Sequence, residues 1–356
     1  MTPITFAYLI VGLLLLIAGA ELLVRGAARM AGRLGITPLI VGLTVVAFGT
    51  SAPEMAVSVQ AALKGSGDIA VGNVVGSNIF NVLVILGLSA LIVPLLVSRQ
   101  LVRLDVPVMI GASLLAFALA LDQRLGRLDG AILFGGILIY TGVLIWLARR
   151  EAARAPADAD AGLDSGLRAW LRDALLVLAG VGLLVLGADW LVEGAVVLAR
   201  ALGLSELLIG LTLIAAGTSL PELATSLLAA LKGQREIAVG NIVGSNIFNL
   251  LAVLGLAALV SPVPISVSPT ALALDFPVML AVAIACLPIF FANYRISRPE
   301  GLLFLLYYCA YIGYLLLFNT GRPIAGQLGD ALLAYALPLT AAILLILAAR
   351  AWRRQA

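Results

Sequence analysis

The chain contains no histidine and only two cysteines, and few of its residues are charged. Without histidine, and with Cys286 and Cys309 lying apart in separate apolar runs, the sequence lacks the ligand sets that zinc and copper sites need. The two cysteines form no disulfide framework, so they do not indicate a redox compartment. Charged residues make up 12% of the chain and hydrophobic residues 62%. Soluble domains do not have this composition, and most of the chain is therefore expected to lie in a lipid bilayer.

The basic residues indicate membrane topology rather than nucleic-acid binding. The net charge is +3, but the lysines and arginines lie between apolar runs and not together on one soluble face. Most of them follow the first, third, fifth, seventh and ninth apolar runs. Cytoplasmic loops carry such an excess. The pattern predicts a multi-pass protein of the cell (inner) membrane, with its N-terminus outside and its central loop and C-terminus in the cytoplasm.

The apolar runs predict an all-α polytopic membrane protein, since a span needs about 20 apolar residues. The first group of five spans is expected near 5–28, 37–62, 69–93, 104–121 and 129–148. The second group is expected near 171–198, 206–230, 237–261, 273–292 and 300–318, and an eleventh span near 329–349. The chain then divides into a first half (1–148), a cytoplasmic linker (149–170), a second half (171–320) and an extra C-terminal helix (321–356).

The two halves are copies of one unit. Residues 42–88 recur as residues 210–256 without a gap, and roughly two-thirds of the positions are identical. The polar residues are retained between the copies while the apolar ones vary. Because each unit holds an odd number of spans, the second must cross the membrane in the opposite direction. The sequence therefore predicts two inverted-topology repeats of five helices.

Glu54 and Glu222 occupy matching positions deep within predicted spans. A charged side chain there is costly and suggests a functional site. No lysine or arginine lies in the same spans to neutralise them, so a cation is the expected partner. The simpler interpretation is a protonated glutamate that joins helices by hydrogen bonding.

Pro53 and Pro221 predict a broken helix beside each glutamate. Proline has no N–H and clashes with the carbonyl four residues earlier, here that of Gly49 or Gly217. Carbonyl oxygens around residues 47–50 and 215–218 should be freed, and such backbone is tolerated only where it is buried or lines a cavity. Carbonyl and carboxylate oxygens suit Ca²⁺ and Na⁺. An ordinary proline kink is the alternative.

Polar side chains recur every four residues in the third and eighth spans and so lie along one helix face. They are Asn73, Ser77 and Asn81 in the first copy, and Asn241, Ser245 and Asn249 in the second. We predict cation ligation for Ser77, Asn81, Ser245 and Asn249. For Asn73, Asn78, Asn241 and Asn246, hydrogen bonding between helices is an equal alternative.

Other polar residues in the spans receive different interpretations. Asp105 and Asp275 each stand two residues before a proline near the expected start of a span, which suggests helix capping. Glu21 can pair with Arg25 one turn later. Glu21 and its counterpart Asp189 are candidate gating residues.

The repeated motif Gly-Thr-Ser-x-Pro-Glu followed by Gly-Asn-x-Val-Gly-Ser-Asn-Ile-Phe-Asn resembles the two alpha-repeats of the cation/calcium antiporter superfamily, and most closely its prokaryotic sodium/calcium exchanger branch. The resemblance implies four central cation sites between the second, third, seventh and eighth spans, and a first and sixth span that slide across the core. It implies that Glu54 and Glu222 bind both Ca²⁺ and Na⁺. It further implies backbone carbonyl ligands from Ala47, Thr50, Ala215 and Thr218, and sodium ligands from Ser51, Ser77, Ser219 and Ser245. Asn249 argues against a K⁺ requirement.

The expected function is Na⁺/Ca²⁺ antiport by alternating access, without enzymatic activity and without a cofactor. The expected partners are the transported Ca²⁺ and Na⁺ ions and the lipid bilayer, with no obligate protein partner. Ca²⁺/H⁺ antiport is the first alternative, with protons taken up by the two glutamates. A cation channel and an intramembrane hydrolase are more distant ones, and the equivalence of the two glutamate environments argues against the hydrolase.

Overall fold

The computed structural model describes residues 3–153, 166–202 and 215–319, with isolated positions beyond them. The helices of the first half are α1 (Pro3–Leu34), α2 (Pro38–Thr50), α3 (Ala52–Leu63), α4 (Gly67–Ile92), α5 (Leu101–Leu119) and α6 (Arg127–Ala152). Those of the second half are α7 (Leu167–Ala201), α8 (Ala215–Gly217), α9 (Leu220–Leu231), α10 (Arg235–Val260), α11 (Ala271–Ala292) and α12 (Arg298–Asn319).

These helices confirm the predicted all-α membrane fold. In the described part of the chain, eight helices are long and apolar enough to cross a membrane, or nine if the bent pair α2 and α3 is one span. The start of the expected seventh span, most of the expected eleventh span and the middle of the linker lie outside the described residues. The helices α4 and α10 are the most buried, with 72% and 83% of their most apolar stretch enclosed by protein. They form the centre of the fold.

Two short antiparallel ribbons connect the halves. β1 (Leu95–Leu96) pairs with β4 (Arg295–Ile296), and β2 (Arg124–Leu125) pairs with β3 (Ile265–Ser266). Helix α5 runs from β1 to β2, so the two ribbons lie at opposite ends of the bundle. Each ribbon takes one strand from each repeat, which is consistent with an inverted repeat.

Helices α3 and α9, which occupy equivalent positions in the two repeats, end at opposite ends of the bundle. After α3, Gly67 packs against Ile265 of the β2–β3 ribbon. After α9, Gly233 and Gln234 line a surface pocket together with Leu96 of the β1–β4 ribbon. Lys64 and Lys232, the residues that follow α3 and α9, therefore mark the two ends of the molecule.

Helices α1 and α7 pack antiparallel along a seam of glycines. A Cβ on Gly19 would lie 2.8 Å from the carbonyl oxygen of Gly180, and a Cβ on Gly12 would lie 2.9 Å from that of Gly187. Because these are backbone contacts, any side chain at the seam would push the helices apart. The two helices therefore form one closely fitted unit.

Asp105 and Asp275 do not cap helices, contrary to the expectation from sequence. Each has helical backbone angles at the end of a π-helical turn, Leu101–Asp105 or Ala271–Asp275, and neither makes a capping hydrogen bond. The hydroxyl of Tyr140 instead donates to Asp105 at 2.9 Å, and that of Tyr311 donates to Asp275 at 2.7 Å. These bonds join α5 to α6 and α11 to α12. The helices begin earlier than the apolar runs indicated, which places the carboxylates inside them.

Replacing Tyr140 with phenylalanine is expected to lower the free energy of unfolding by about 1–3 kcal/mol, because a fully buried Asp105 then loses a hydrogen-bond donor. Thermal unfolding of the purified protein measures the effect. Tyr314→Phe is the matched control, since that ring stacks on Phe318. An equal melting temperature for Tyr140→Phe and the unmodified protein would contradict the prediction.

Candidate cation site

The second and seventh spans are broken beside Pro53 and Pro221, as these prolines predicted. Helix α2 ends at Thr50, Ser51 leaves the helical path, and α3 continues at an angle of 47°. In the second repeat, α8 ends at Gly217 and α9 begins at Leu220. The expected break is thus confirmed in both copies. The carbonyl of Ala47 is not entirely free, because it accepts the N–H of Ser51 at 3.0 Å.

Glu54 and Glu222 are fully buried in the first turns of α3 and α9. The hydroxyl of Ser51 donates to Oε1 of Glu222 at 3.0 Å, and the hydroxyl of Ser219 donates to Oε1 of Glu54 at 3.0 Å. Each carboxylate is therefore held by the serine of the opposite repeat. This reciprocal pairing requires the two broken helices to meet at the centre of the fold.

Ser77 and Ser245 reach the same region from α4 and α10. The hydroxyl oxygen of Ser77 lies 3.1 Å from that of Ser219, and the hydroxyl of Ser245 lies 3.5 Å from Oε1 of Glu222. Both residues are buried. Six of the oxygen-bearing residues predicted from the repeat motif therefore surround one small polar region.

The threonine hydroxyls bind asparagines of the opposite repeat. Thr50 donates to Oδ1 of Asn241 at 3.0 Å, and Asn241 donates to the hydroxyl of Ser226 at 2.9 Å. The mirror set is Thr218 to Asn73 at 3.2 Å and Asn73 to Ser58 at 3.0 Å. Asn73 and Asn241 thus connect helices, which was one of the two interpretations open from sequence. Ala215 lies in α8 in the position equivalent to Ala47.

A second set of asparagines crosses the centre between α4 and α10. The amide of Asn81 donates to Oδ1 of Asn246 at 2.9 Å, and the amide of Asn249 donates to Oδ1 of Asn78 at 3.2 Å. Asn81 and Asn249 each open a π-helical turn, Asn81–Leu86 and Asn249–Val253. Such turns occur often at functional sites because they displace side chains from regular helical positions.

Four buried carboxylate and amide oxygens of this region accept no hydrogen bond from the described residues. They are Oε2 of Glu54, Oε2 of Glu222, Oδ1 of Asn81 and Oδ1 of Asn249. No described lysine or arginine forms an ion pair with either carboxylate. A buried polar atom without a partner is costly, and a buried unpaired carboxylate more so. Oxygen ligands of this kind match the preference of Ca²⁺ and other hard cations.

Ser58, Ser226 and Thr225 are polar residues of this region that the sequence interpretation did not select. Ser58 and Ser226 are retained in both copies, so the comparison of repeats that identified the glutamates could have found them. Thr225 is fully buried and its hydroxyl has no hydrogen-bond partner in the described structure. Its counterpart is Val57, so the repeat gave no signal for it.

A family profile described as sodium/calcium exchanger protein matches residues 4–146 and 173–317, which is most of the chain. The chain belongs to the sodium/calcium exchanger family. Among its relatives, the Sodium/calcium exchanger MaX1 of Methanosarcina acetivorans is 32% identical over 88% of this chain and 98% of its own length. The Inner membrane protein YrbG of Escherichia coli is 43% identical over 78% of this chain and 86% of its own.

A solved structure of the sodium-calcium exchanger NCX_Mj resembles this family member with a TM-score of 0.74 and 30% sequence identity, covering 88% of this chain and all of that one. The match to the sodium/calcium exchanger family confirms the resemblance that the repeated motif indicated. The protein is therefore a multi-pass membrane transporter of the exchanger type. The described helices, the exchanger profile and the NCX_Mj fold agree on the same architecture.

Proposed function

We propose that the protein exchanges Na⁺ for Ca²⁺ across the membrane, with the cations bound between α2, α3, α4, α8, α9 and α10. The observation that carries this proposal is the set of four buried, unpartnered oxygens of Glu54, Glu222, Asn81 and Asn249. A cation is the ligand that would compensate both carboxylates at once. The name and similarity of the exchanger MaX1 support Na⁺ and Ca²⁺ as the ions.

The proposed roles follow from the contacts of each residue. Glu54 and Glu222 supply the negative charge, while Asn81 and Asn249 supply neutral oxygens. Further ligands are proposed from the side chains and carbonyls around the broken helices: Ser51, Ser77, Ser219, Ser245, Ala47, Thr50, Ala215 and Thr218. The Ala47 carbonyl accepts the N–H of Ser51 and lies 3.4 Å from the hydroxyl of Thr50. Because that hydroxyl donates to Asn241 at the shorter distance of 3.0 Å, a lone pair of the carbonyl is left for ligation.

Charge accounts for coupling between the two ions. The site carries −2 when both carboxylates are ionised, and one Ca²⁺ or two or more Na⁺ ions neutralise that charge. A neutralised site can be enclosed between the repeats, whereas a bare −2 site is costly to remove from water. Conformational exchange should therefore occur in the loaded forms, which makes the transport an exchange. We also propose that the N-terminus lies outside and the central loop and C-terminus lie in the cytoplasm.

Ca²⁺ uptake into proteoliposomes loaded with Na⁺, with K⁺ or with acid tests the proposal. Uptake with internal Na⁺, and only background uptake with K⁺ or acid, is the expected result. Uptake driven by the acid load without Na⁺ would replace the proposal with Ca²⁺/H⁺ antiport. Uptake without any counter-gradient would indicate a channel. Protein-free liposomes supply the background.

A further inference from the structure

The two repeats match in sequence but not in how α1 and α7 pack. Helix α1 lies along α9, and Glu21 of α1 forms an ion pair with Lys232 at the end of α9. The equivalent contact would join α7 to α3 through Asp189 and Lys64. In the described structure those two helices have no comparable packing, and Asp189 and Lys64 are exposed without an ion-pair partner.

Side-chain burial shows the same difference. Val57 on α3 is 39% exposed, whereas Thr225, its counterpart on α9, is completely buried. Ala56 and Gln60 on the same face of α3 are also exposed, while the matching residues of α9 are at least partly covered. The face of α9 that carries Thr225 is therefore covered and the matching face of α3 is exposed, while both glutamates are buried.

Helices α1 and α7 can change which of the two faces is covered only by moving together. Their glycine seam brings backbone against backbone at Gly19 and Gly180, which leaves no space for one helix to tilt independently. Because the two helices are antiparallel and related by the repeat, a shift of the pair that uncovers α9 would cover α3. The opposite arrangement would then mirror the one described here.

We propose that Glu21–Lys232 and Asp189–Lys64 are alternating ion pairs, of which one holds the α1–α7 unit at each end of the transport cycle. The inference rests on the alternating exchange proposed above. The four residues do not contact the cation and act as positioning residues for the moving unit. In the structure the Glu21–Lys232 ion pair is formed, whereas Asp189 and Lys64 are exposed and do not pair.

The charges around each pair differ in a way that fits this role. Glu21 also pairs with Arg25 on its own helix, whereas the position of Arg25 is occupied in α7 by Glu193. Asp189 therefore has no basic residue one turn later to hold it. It is left available for Lys64. Exposed ion pairs are weak individually, so each can release as the cycle proceeds.

Cross-linking tests the proposal directly. In a chain carrying Cys286→Ala and Cys309→Ala, paired cysteines replace either Glu21 and Lys232 or Asp189 and Lys64. A short bis-methanethiosulfonate reagent is used, because side chains joined by an ion pair hold their backbones farther apart than a disulfide spans. Both pairs are expected to cross-link, and each cross-link should stop Ca²⁺ uptake until a reductant cleaves it. The mismatched pair at Glu21 and Lys64 is the control and should remain unlinked.

A charge variant supplies the second measurement. Adding Lys232→Met to the Asp189 and Lys64 cysteine pair should raise its cross-linking yield by roughly two- to fivefold, the range expected for losing an exposed ion pair. Lys232→Arg retains the charge and should leave the yield unchanged. A protein with only a structural Glu21–Lys232 contact would show no such gain at the other end.

Failure of the Asp189 and Lys64 pair to cross-link, while the Glu21 and Lys232 pair does, would overturn the inference. An unchanged yield with Lys232→Met would overturn it as well. Cross-linking is read from the intact mass of the protein, which distinguishes one bridging reagent from two singly attached ones, and it does not depend on which ion drives Ca²⁺ uptake. A finding that protons replace Na⁺ would therefore refute the proposed function without affecting this result.

Discussion

Replacing Glu54 with glutamine is expected to abolish Ca²⁺ uptake, with a loss on the order of a hundredfold or more. Two unit charges 4 Å apart contribute about 4 kcal/mol at an effective dielectric constant of 20, which corresponds to about a thousandfold in affinity. Glutamine has nearly the same shape and still accepts the hydrogen bond from Ser219, so the charge is the main property that changes. Glu222→Gln should cause a loss of similar size, because its buried environment mirrors that of Glu54.

Initial rates of Ca²⁺ uptake into Na⁺-loaded proteoliposomes, at equal protein density, measure this effect. Glu236→Gln is the matched control, since Glu236 lies in the first turn of α10 and is only partly buried. That variant should transport at the unmodified rate. If Glu54→Gln kept more than half of the uptake rate, the carboxylate would not be a ligand and the proposed site would be wrong.

Replacing Gly180 with leucine is expected to lower the melting temperature of the purified protein by several degrees and to reduce its yield. A Cβ at this position would lie 2.6 Å from the backbone nitrogen of Leu23 and 2.8 Å from the carbonyl oxygen of Gly19. Backbone atoms cannot rotate away as a side chain can, so the two helices must separate. Overpacking of this kind costs about 1–3 kcal/mol and occasionally more.

Gly182→Leu is a close control for that variant. It makes the same change on the same helix, but no atom lies within 4 Å of the added Cβ and Gly182 is exposed. Its counterpart in the first repeat is already a leucine, Leu14. The Gly182→Leu variant should therefore have the same melting temperature as the unmodified protein. Equal melting temperatures for the two leucine variants would show that the seam does not determine the stability of the unit.

The duplicated motif was sufficient to predict the arrangement of the fold. An odd number of spans in each copy led to the inverted repeat, and Pro53 and Pro221 correctly located the two helix breaks. These features depend on local chemistry and on chain order, which a sequence contains directly. Which oxygens ligate the cation remains a prediction, although the structure brings Glu54, Glu222 and Ser51 into one region.

Features that depend on distant partners could not be predicted in the same way. Asp105 was assigned to a helix cap because the tyrosine that binds it lies 35 positions later, on another span. The carbonyl of Ala47 was expected to be free, but the chain retains a hydrogen bond from Ser51 across the bend. The unequal packing of α1 and α7 against the two repeats also could not be predicted from the sequence. Two equivalent sequences give no indication of which repeat is enclosed.

The exchange of serines between the two glutamates bears on how such a chain could have arisen. Ser51 donates to Glu222 and Ser219 donates to Glu54, so each carboxylate is bound by a serine of the other repeat. The same bonds would form between two identical five-span proteins, one inserted upside down beside the other, as an isologous two-fold contact. An ancestral half-length gene product of dual orientation would already have assembled a complete site. Fusion of two such units would place in one polypeptide a pairing that otherwise depends on two molecules meeting in the bilayer.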